Sequence, residues 1–286
     1  MSVTLERLQA MRRQSSGTLS TSATAKQSKP SATTDPRAPV TPDIDRLRAL
    51  LRGRGSRLIA PSSRSIDRSL PGEEIAAGLF LHTSRLPYEG VPSELDGVFD
   101  RRESLTRNSL LFFDTETTGL AGGVGTRAFM IGASHFEGGD LVIRQLLTAT
   151  LGAETAMLRE FAGWLHPYSV LVSYNGKCYD APLLRARYRL ARMADPTAGL
   201  AHVDLLFPTR RRYKGVYENC RLATIERRVL RIVREDDLPG SEAPAAWLGY
   251  LRGGSSALLR RVGHHNHQDV LTLAGLLAHL CGVSDR

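Results

Sequence analysis

The sequence predicts a mixed α/β fold, a sheet of about five strands flanked by α-helices, behind a disordered N-terminal tail. Three observations predict it. Short continuous apolar runs begin near residue 109, and the first three follow one another across tight turns. Further apolar runs then alternate with stretches of helical spacing. Strands first and alternation afterwards is the pattern of a mixed sheet covered by helices.

The elements follow in order. Leu5, Leu8 and Met11 recur at spacing three and predict a short helix over 2–13. Residues 14–41 contain six Ser, six Thr, three Pro and no aromatic residue. Such a stretch buries too little apolar surface to offset its ordering entropy, so 1–41 reads as a disordered tail. Residues 42–107 read as an extension packing on the core, with a helix from Asp43 to Arg54 and a possible strand at Ala76–Leu81. Residues 108–286 form the main domain. Leu110–Phe113 is an apolar run ending in Asp114, as in a buried strand. Strands are predicted at Arg127–Phe136 and Asp140–Thr148, separated by Glu137-Gly138-Gly139. Met157, Leu158, Phe161, Trp164 and Leu165 predict a helix over Glu154–His166. A strand at Val170–Tyr174, an arginine-lined helix at Ala181–Met193 and a strand at Ala201–Leu206 follow. The last helices are placed at Leu222–Leu230 and Asn266–Leu280.

Composition narrows the chemistry. Lys plus Arg total 38 against 29 Asp plus Glu over 286 residues, a formal charge of +9. That permits nucleic acid, an anionic membrane or an acidic protein as partner. Three cysteines, Cys178, Cys220 and Cys281, form no CxxC pair, which argues against a disulfide scaffold and a thiolate zinc site. The longest apolar stretch, Val270–Val283, is too short to span a bilayer. Residues 1–30 lack a signal-type apolar run. A cytoplasmic protein without membrane attachment is expected.

The acidic residues carry the chemistry. Asp114 and Glu116 stand two apart at a strand end, which puts both carboxylates on one face. Adjacent carboxylates raise each other's pKa unless a cation lies between them, and a hard divalent ion is the natural partner. The pair alone reads as an exposed acidic turn sooner than as a site. Two further acids follow strongly apolar sequence or lie beside it. Asp180 ends Tyr174-Asn175-Gly176-Lys177-Cys178-Tyr179-Asp180, and Asp269 ends His264-His265-Asn266-His267-Gln268-Asp269. A shared metal site accounts for all four.

These segments resemble the three motifs of the DEDD superfamily of RNase H-like 3′–5′ exonucleases. Motif I is D-x-E followed by Thr117-Thr118-Gly119-Leu120. Motif II matches Asn175, Tyr179 and Asp180. Motif III matches His264 or His265 with Asp269. The chain is also similar to the YprB-type ribonuclease H-like domain, through Asp114–Thr126, Val172–Lys177, His202–Leu206, Asp236–Gly240 and His265–Leu271. The resemblance implies two Mg²⁺ or Mn²⁺ ions held by Asp114, Glu116, Asp180 and Asp269. It implies a histidine general base, a single-stranded DNA or RNA substrate and no nucleotide cofactor. His264 has the H-x4-D spacing, whereas His265 would share a helix face with Asp269. Substrate contacts are expected at Thr117, Gly119, Leu120, Asn175, Lys177, Tyr179, Arg211 and Tyr213. Lys177 reads equally as a surface lysine, and the basic run around Arg211 and Tyr213 as a solvated loop. The glycine-rich loop at 121–125 is not GxGxxG and follows the wrong residues for dinucleotide binding. An inactive binding module and a structure-selective endonuclease are the competing readings.

The charge excess is not confined to the tail. Residues 1–107 carry 17 basic and 12 acidic side chains, and 108–286 carry 21 and 17. Two dications on four acids would leave an arginine-rich surface facing a polyanion.

Overall fold

The computed structural model describes residues 65–119, 125–165, 169–235 and 237–283. The expected tail, the helices at 2–13 and 43–54, Leu120 and most of the glycine-rich loop lie outside the described residues. Nine strands are found among the described residues: β1 Glu73–Ala76, β2 Leu79–Pro87, β3 Glu94–Asp96, β4 Ser104–Thr106, β5 Leu110–Thr117, β6 Ala128–Glu137, β7 Asp140–Thr148, β8 Val170–Ser173 and β9 Ala201–Asp204. The α-helices are α1 Glu154–Trp164, α2 Asp180–Leu190, α3 Leu206–Tyr213, α4 Leu222–Ile225, α5 Ala243–Leu251 and α6 Ala257–Leu280.

The expected class, a mixed sheet flanked by helices, is what the chain forms. Seven strands run in the order β1-β2-β7-β6-β5-β8-β9. The five from β5 to β9 are those expected. β1 and β2 come from the extension, which therefore continues the sheet by pairing β2 antiparallel to β7. Pairing is antiparallel from β1 to β5, and β5, β8 and β9 are parallel. β3 and β4 form a separate hairpin.

The central strand shows why its apolar run is unbroken. Leu110 and Phe112 face a core made with Val270, Leu273 and Leu277 of α6. Leu111 and Phe113 face the opposite core, with Met157 and Phe161 of α1 and Leu184 and Tyr188 of α2. A strand buried on both faces reads as continuous apolar sequence rather than as alternation. The period-two geometry carries on past Phe113. Asp114 and Glu116 lie on the Phe112 face, towards α6, and Thr115 lies on the other.

Three predicted boundaries moved for physical reasons. β5 runs to Thr117, so the D-x-E pair lies within the strand, just before a register shift between Glu116 and Thr117. α6 begins at Ala257 because Leu259 and Val262 already bury against Trp247 and Tyr250 of α5. The predicted 222–230 helix splits into α4 and a π-helical turn, Glu226–Leu230, which ends at Arg231 in a left-handed conformation. No helix among the described residues is long and apolar enough to cross a membrane.

Candidate active site

The site forms at one end of β5, where α2 and α6 also deliver acids. Asp114 lies opposite Gly132 of β6 and Glu116 opposite Met130. A Cβ on Gly132 would stand 2.1 Å from Oδ1 of Asn266, so the glycine lets α6 press directly on the sheet. Asn266 is fully buried there. Its Nδ2 donates to Oδ2 of Asp114 at 3.1 Å. Its Oδ1 accepts from Nε2 of Gln145 at 2.9 Å, and the same nitrogen donates to the carbonyl of Gly263 at 2.8 Å. One amide chain thus orients Asp114 and ties α6 to β7.

Asp180 arrives from a different loop. Asn175 adopts φ 68°, a left-handed conformation that asparagine tolerates better than most residues. Asp204, fully buried, accepts from the backbone N–H of Asn175 at 2.7 Å, Lys177 at 3.1 Å and Leu206 at 3.1 Å. It holds the β8–α2 turn to β9. Asp180 opens α2, where its carboxylate accepts the hydroxyl of Thr115.

Asp269 lies on α6 one turn after His265. Its Oδ2 is 3.5 Å from Nε2 of His265, and its Oδ1 accepts from Nη2 of Arg234. Nδ1 of His265 is 2.7 Å from Oδ1 of Asp237. His265 therefore stands in the acid cluster, whereas His264 on the same helix is exposed. His267 points elsewhere, 3.0 Å from the Ser84 hydroxyl.

The electrostatics are those of crowded carboxylates. Burial, then the charges of Asp269, Asp180 and Glu116, push Asp114 well above the carboxylate range. Burial lifts Glu116 to about 8 against the pull of His265. Burial likewise lifts Asp180 to about 6, although the Thr115 hydrogen bond opposes it. Asp269 is raised by burial despite Arg234 and His265. His265 is drawn down by burial but raised overall by Asp269, Asp237 and Glu116. Four acids therefore share one short cation-poor region, with Arg234 as its guanidinium and His265 beside it.

The donor set fits a hard divalent ion, being all carboxylate oxygen and mutually repelling without one. As the side chains stand, no three His, Cys, Asp or Glu among the described residues converge as a metal-holding group. Asp269 is engaged by Arg234 and Asp180 by Thr115, which accounts for two of the four.

The expected substrate contacts divide. Thr117, Gly119, Asn175 and Tyr179 line one cleft with Asp114 and Asp180. Tyr179 is 59% exposed at its edge, and nothing lies within 4 Å of where a Cβ on Gly119 would be. Lys177 is exposed beside that turn, and its charge adds to burial in lowering the pKa of His202. Tyr213 requires correction: its ring is 8% exposed, stacked on Tyr217 at 5.5 Å, with its hydroxyl 2.7 Å from Nε2 of His279. It is a core residue and offers no face to a base. Arg211 is exposed and donates to the Phe99 carbonyl at 2.5 Å. Besides Lys177, the exposed cations Arg210, Lys214 and Arg221 line a second hollow with Cys220. The two hollows adjoin at Tyr174, whose hydroxyl donates to the Cys220 carbonyl at 2.6 Å.

A family model described as the RNase H superfamily matches residues 111–281, more than half of the chain. The chain belongs to the RNase H superfamily. It is also 37% identical over 175 residues to a Bacillus subtilis (strain 168) protein named "Uncharacterized protein YprB". That match covers 61% of this chain and 42% of the relative, so the chain spans less than half of that protein's length. Among solved structures it is similar to the family B DNA polymerase of Pyrobaculum calidifontis, with a TM-score of 0.48 and 18% identity over 60% of this chain and 24% of that one. The superfamily match takes in all four acids, on β5, α2 and α6, and ends one residue beyond α6.

Sequence reasoning missed Gln145, Arg234 and the positioning role of Asn266. Gln145 was visible as a polar residue inside an apolar strand, and Gly132 as a lone glycine in another. Both are signs of a close approach. Gly132→Ala is expected to push Asn266 off Asp114 and lower activity at least about tenfold while the protein still folds. Parallel rate and circular dichroism measurements check this.

Proposed function

We propose that this protein is a divalent-metal-dependent 3′–5′ exonuclease of the DEDD type, hydrolysing single-stranded DNA or RNA. The observation that carries the reading is the crowding of Asp114, Glu116, Asp180 and Asp269 at one strand end, each raised by burial and three of them repelling Asp114. Burying such a group of anions is costly without a cation. Asp114, Glu116 and Asp269 would hold one Mg²⁺ or Mn²⁺, and Asp114 with Asp180 a second. Bound there, the ions supply an activated water and neutralise the leaving oxygen.

The chain's own groups supply the rest. Asp237 accepts from Nδ1–H of His265, which fixes the tautomer and turns Nε2 towards Asp269. Nε2 is then the atom that takes the proton from the attacking water. Tyr179, exposed at the cleft edge, provides a stacking face for the terminal base. Asn175 and Thr117 offer hydrogen bonds within the same cleft.

Arg210, Lys214 and Arg221 lie beside that cleft and suit the phosphates of the strand behind the terminal nucleotide. Reversing the charge of Arg210 and Arg221 together is expected to raise KM on a long oligonucleotide at least about tenfold and leave dinucleotide cleavage unchanged. Each lost phosphate contact should flatten the log–log salt slope by about 0.7. An unchanged salt slope would remove this surface from the substrate path.

Linear and circular single strands, as DNA and as RNA with 3′ or 5′ labels, test the reading in Mn²⁺. Stepwise loss of 3′-terminal nucleotides from linear strands only is expected. Cleavage of the circles would make the protein an endonuclease, and binding without cleavage would make it an inactive module.

A further inference from the structure

The loop before α5 brings a guanidinium into the acid cluster that the proposed reaction does not use. The Arg234 side chain is only 11% exposed. It is gripped from behind by Glu226, itself 1% exposed, through Nε to Oε2 at 2.7 Å and Nη2 to Oε1 at 2.6 Å. Glu226 is pinned in turn by the hydroxyl of Thr272, which lies on α6 one turn beyond Asp269. In front, Nη2 donates to Oδ1 of Asp269. Nη1 stands 3.4 Å from Asp237 and 3.2 Å from Nδ1 of His265.

Two features follow from this arrangement. The Glu226–Arg234 pair is close to neutral as a unit, so it presents Asp269 with a directed donor more than with an added net charge. It is also fixed, because Arg234 cannot swing away without leaving a buried carboxylate unpaired, which is costly. Asp269 is thus held by Arg234 through Oδ1, and its Oδ2 faces the acid cluster, 3.5 Å from Nε2 of His265.

We infer that Arg234 is a positioning residue for Asp269. Clamped by Glu226 and Thr272, it occupies Oδ1 and presents Oδ2 alone as a ligand to the divalent ion. The inference rests on the reading of Asp269 as a metal ligand and goes beyond it. It predicts that an arginine touching neither metal nor substrate sets metal affinity, and that Asp269 binds through a single oxygen. Lysine cannot replace it, since an ammonium lacks the planar fork that serves Glu226 and Asp269 together.

Calorimetric Mn²⁺ titration of the full chain tests this without reference to activity. The comparison uses wild type, Asp114→Asn, Arg234→Ala and Arg234→Lys. Wild type should bind Mn²⁺ and Asp114→Asn should not. Arg234→Ala and Arg234→Lys should bind about 10–100-fold more weakly, the range for losing a group that orients a ligand. Millimolar guanidinium should restore much of the affinity of Arg234→Ala. If Arg234→Ala fails to fold, Arg234→Lys retains the charge and decides the matter. Wild-type or tighter Mn²⁺ affinity in a folded Arg234 variant would overturn the inference alone. No Mn²⁺ binding by wild type would overturn the metal-centre reading and the inference with it.

Discussion

Asp114→Asn should abolish metal-dependent hydrolysis and at the same time stabilise the metal-free protein. Losing a ligand shared by both proposed ions removes several kcal/mol of transition-state stabilisation, so the rate should fall at least about 10³-fold. The stability change runs the other way because Asp114 is the most crowded acid in the site. Burial and three neighbouring carboxylates oppose its ionisation, and only Asn266 favours it. An amide keeps an oxygen for Nδ2 of Asn266 and removes the charge. A gain of about 1 kcal/mol at pH 8 without metal corresponds to about 2–4 °C in the thermal midpoint. The same logic fixes the pH dependence of the wild type. Glu116 is raised from 4.5 to about 8 and Asp180 from 3.8 to about 6. Between the unfolded and folded values the folded state binds more protons than the unfolded chain. Stability in metal-free buffer is therefore fully present at acidic pH and declines as pH rises through about 6 and 8. Thermal melts in chelator from pH 5 to 9 should show that decline, and saturating Mn²⁺ should remove most of it. A midpoint unaffected by Mn²⁺ at pH 8 would contradict the assignment.

Glu154→Ala should be among the most destabilising single changes outside the acid cluster. Glu154 begins α1 and takes Arg187 of α2 through Nε at 2.5 Å and Nη2 at 2.6 Å, and Arg127 through Nη1 at 2.7 Å. The Arg187 side chain is 9% exposed, so it recovers little hydration when this carboxylate goes. Breaking such a buried pair costs about 3–5 kcal/mol. Arg127 stands at the exit of the loop that follows the D-x-E strand, with its backbone N–H donating to the Thr118 hydroxyl at 3.0 Å. The variant should therefore also lose activity at temperatures where it remains folded. Urea titration with a rate assay at matched folded fraction separates the two effects. A loss below about 1 kcal/mol would show that the arginines find other partners.

What the sequence reveals depends on which interactions are local. Asp140–Thr148 could be read as a strand from its apolar residues and the preceding Gly-Gly turn, and β7 has those bounds. The four acids were legible because each lies against apolar sequence, and β5, α2 and α6 carry them to one region. Two helices were missed. α3 looked like a basic loop because three arginines follow Pro208, yet proline is tolerated in a first helical turn. α5 is apolar throughout, Ala-Pro-Ala-Ala-Trp-Leu-Gly-Tyr-Leu, with no polar face to give it a period. Tyr213 was misplaced because an aromatic among arginines resembles a stacking platform, and only tertiary packing shows its hydroxyl meeting His279. The choice between His264 and His265 turned on where α6 begins, which depends on α5 packing against Leu259 and Val262. The Glu226–Arg234–Asp269 chain had no sequence signal, since its members come from separate segments.

The central claim is that the four-acid cluster is a divalent-metal centre for phosphodiester hydrolysis. Release of 5′-mononucleotides from labelled single-stranded oligonucleotides, by wild type and by identically prepared Asp114→Asn with and without Mn²⁺, tests it most directly. The account predicts release by wild type only, requiring Mn²⁺ and prevented by chelator. Equal release by both proteins, or none by a wild type that binds the same strands tightly, would contradict it.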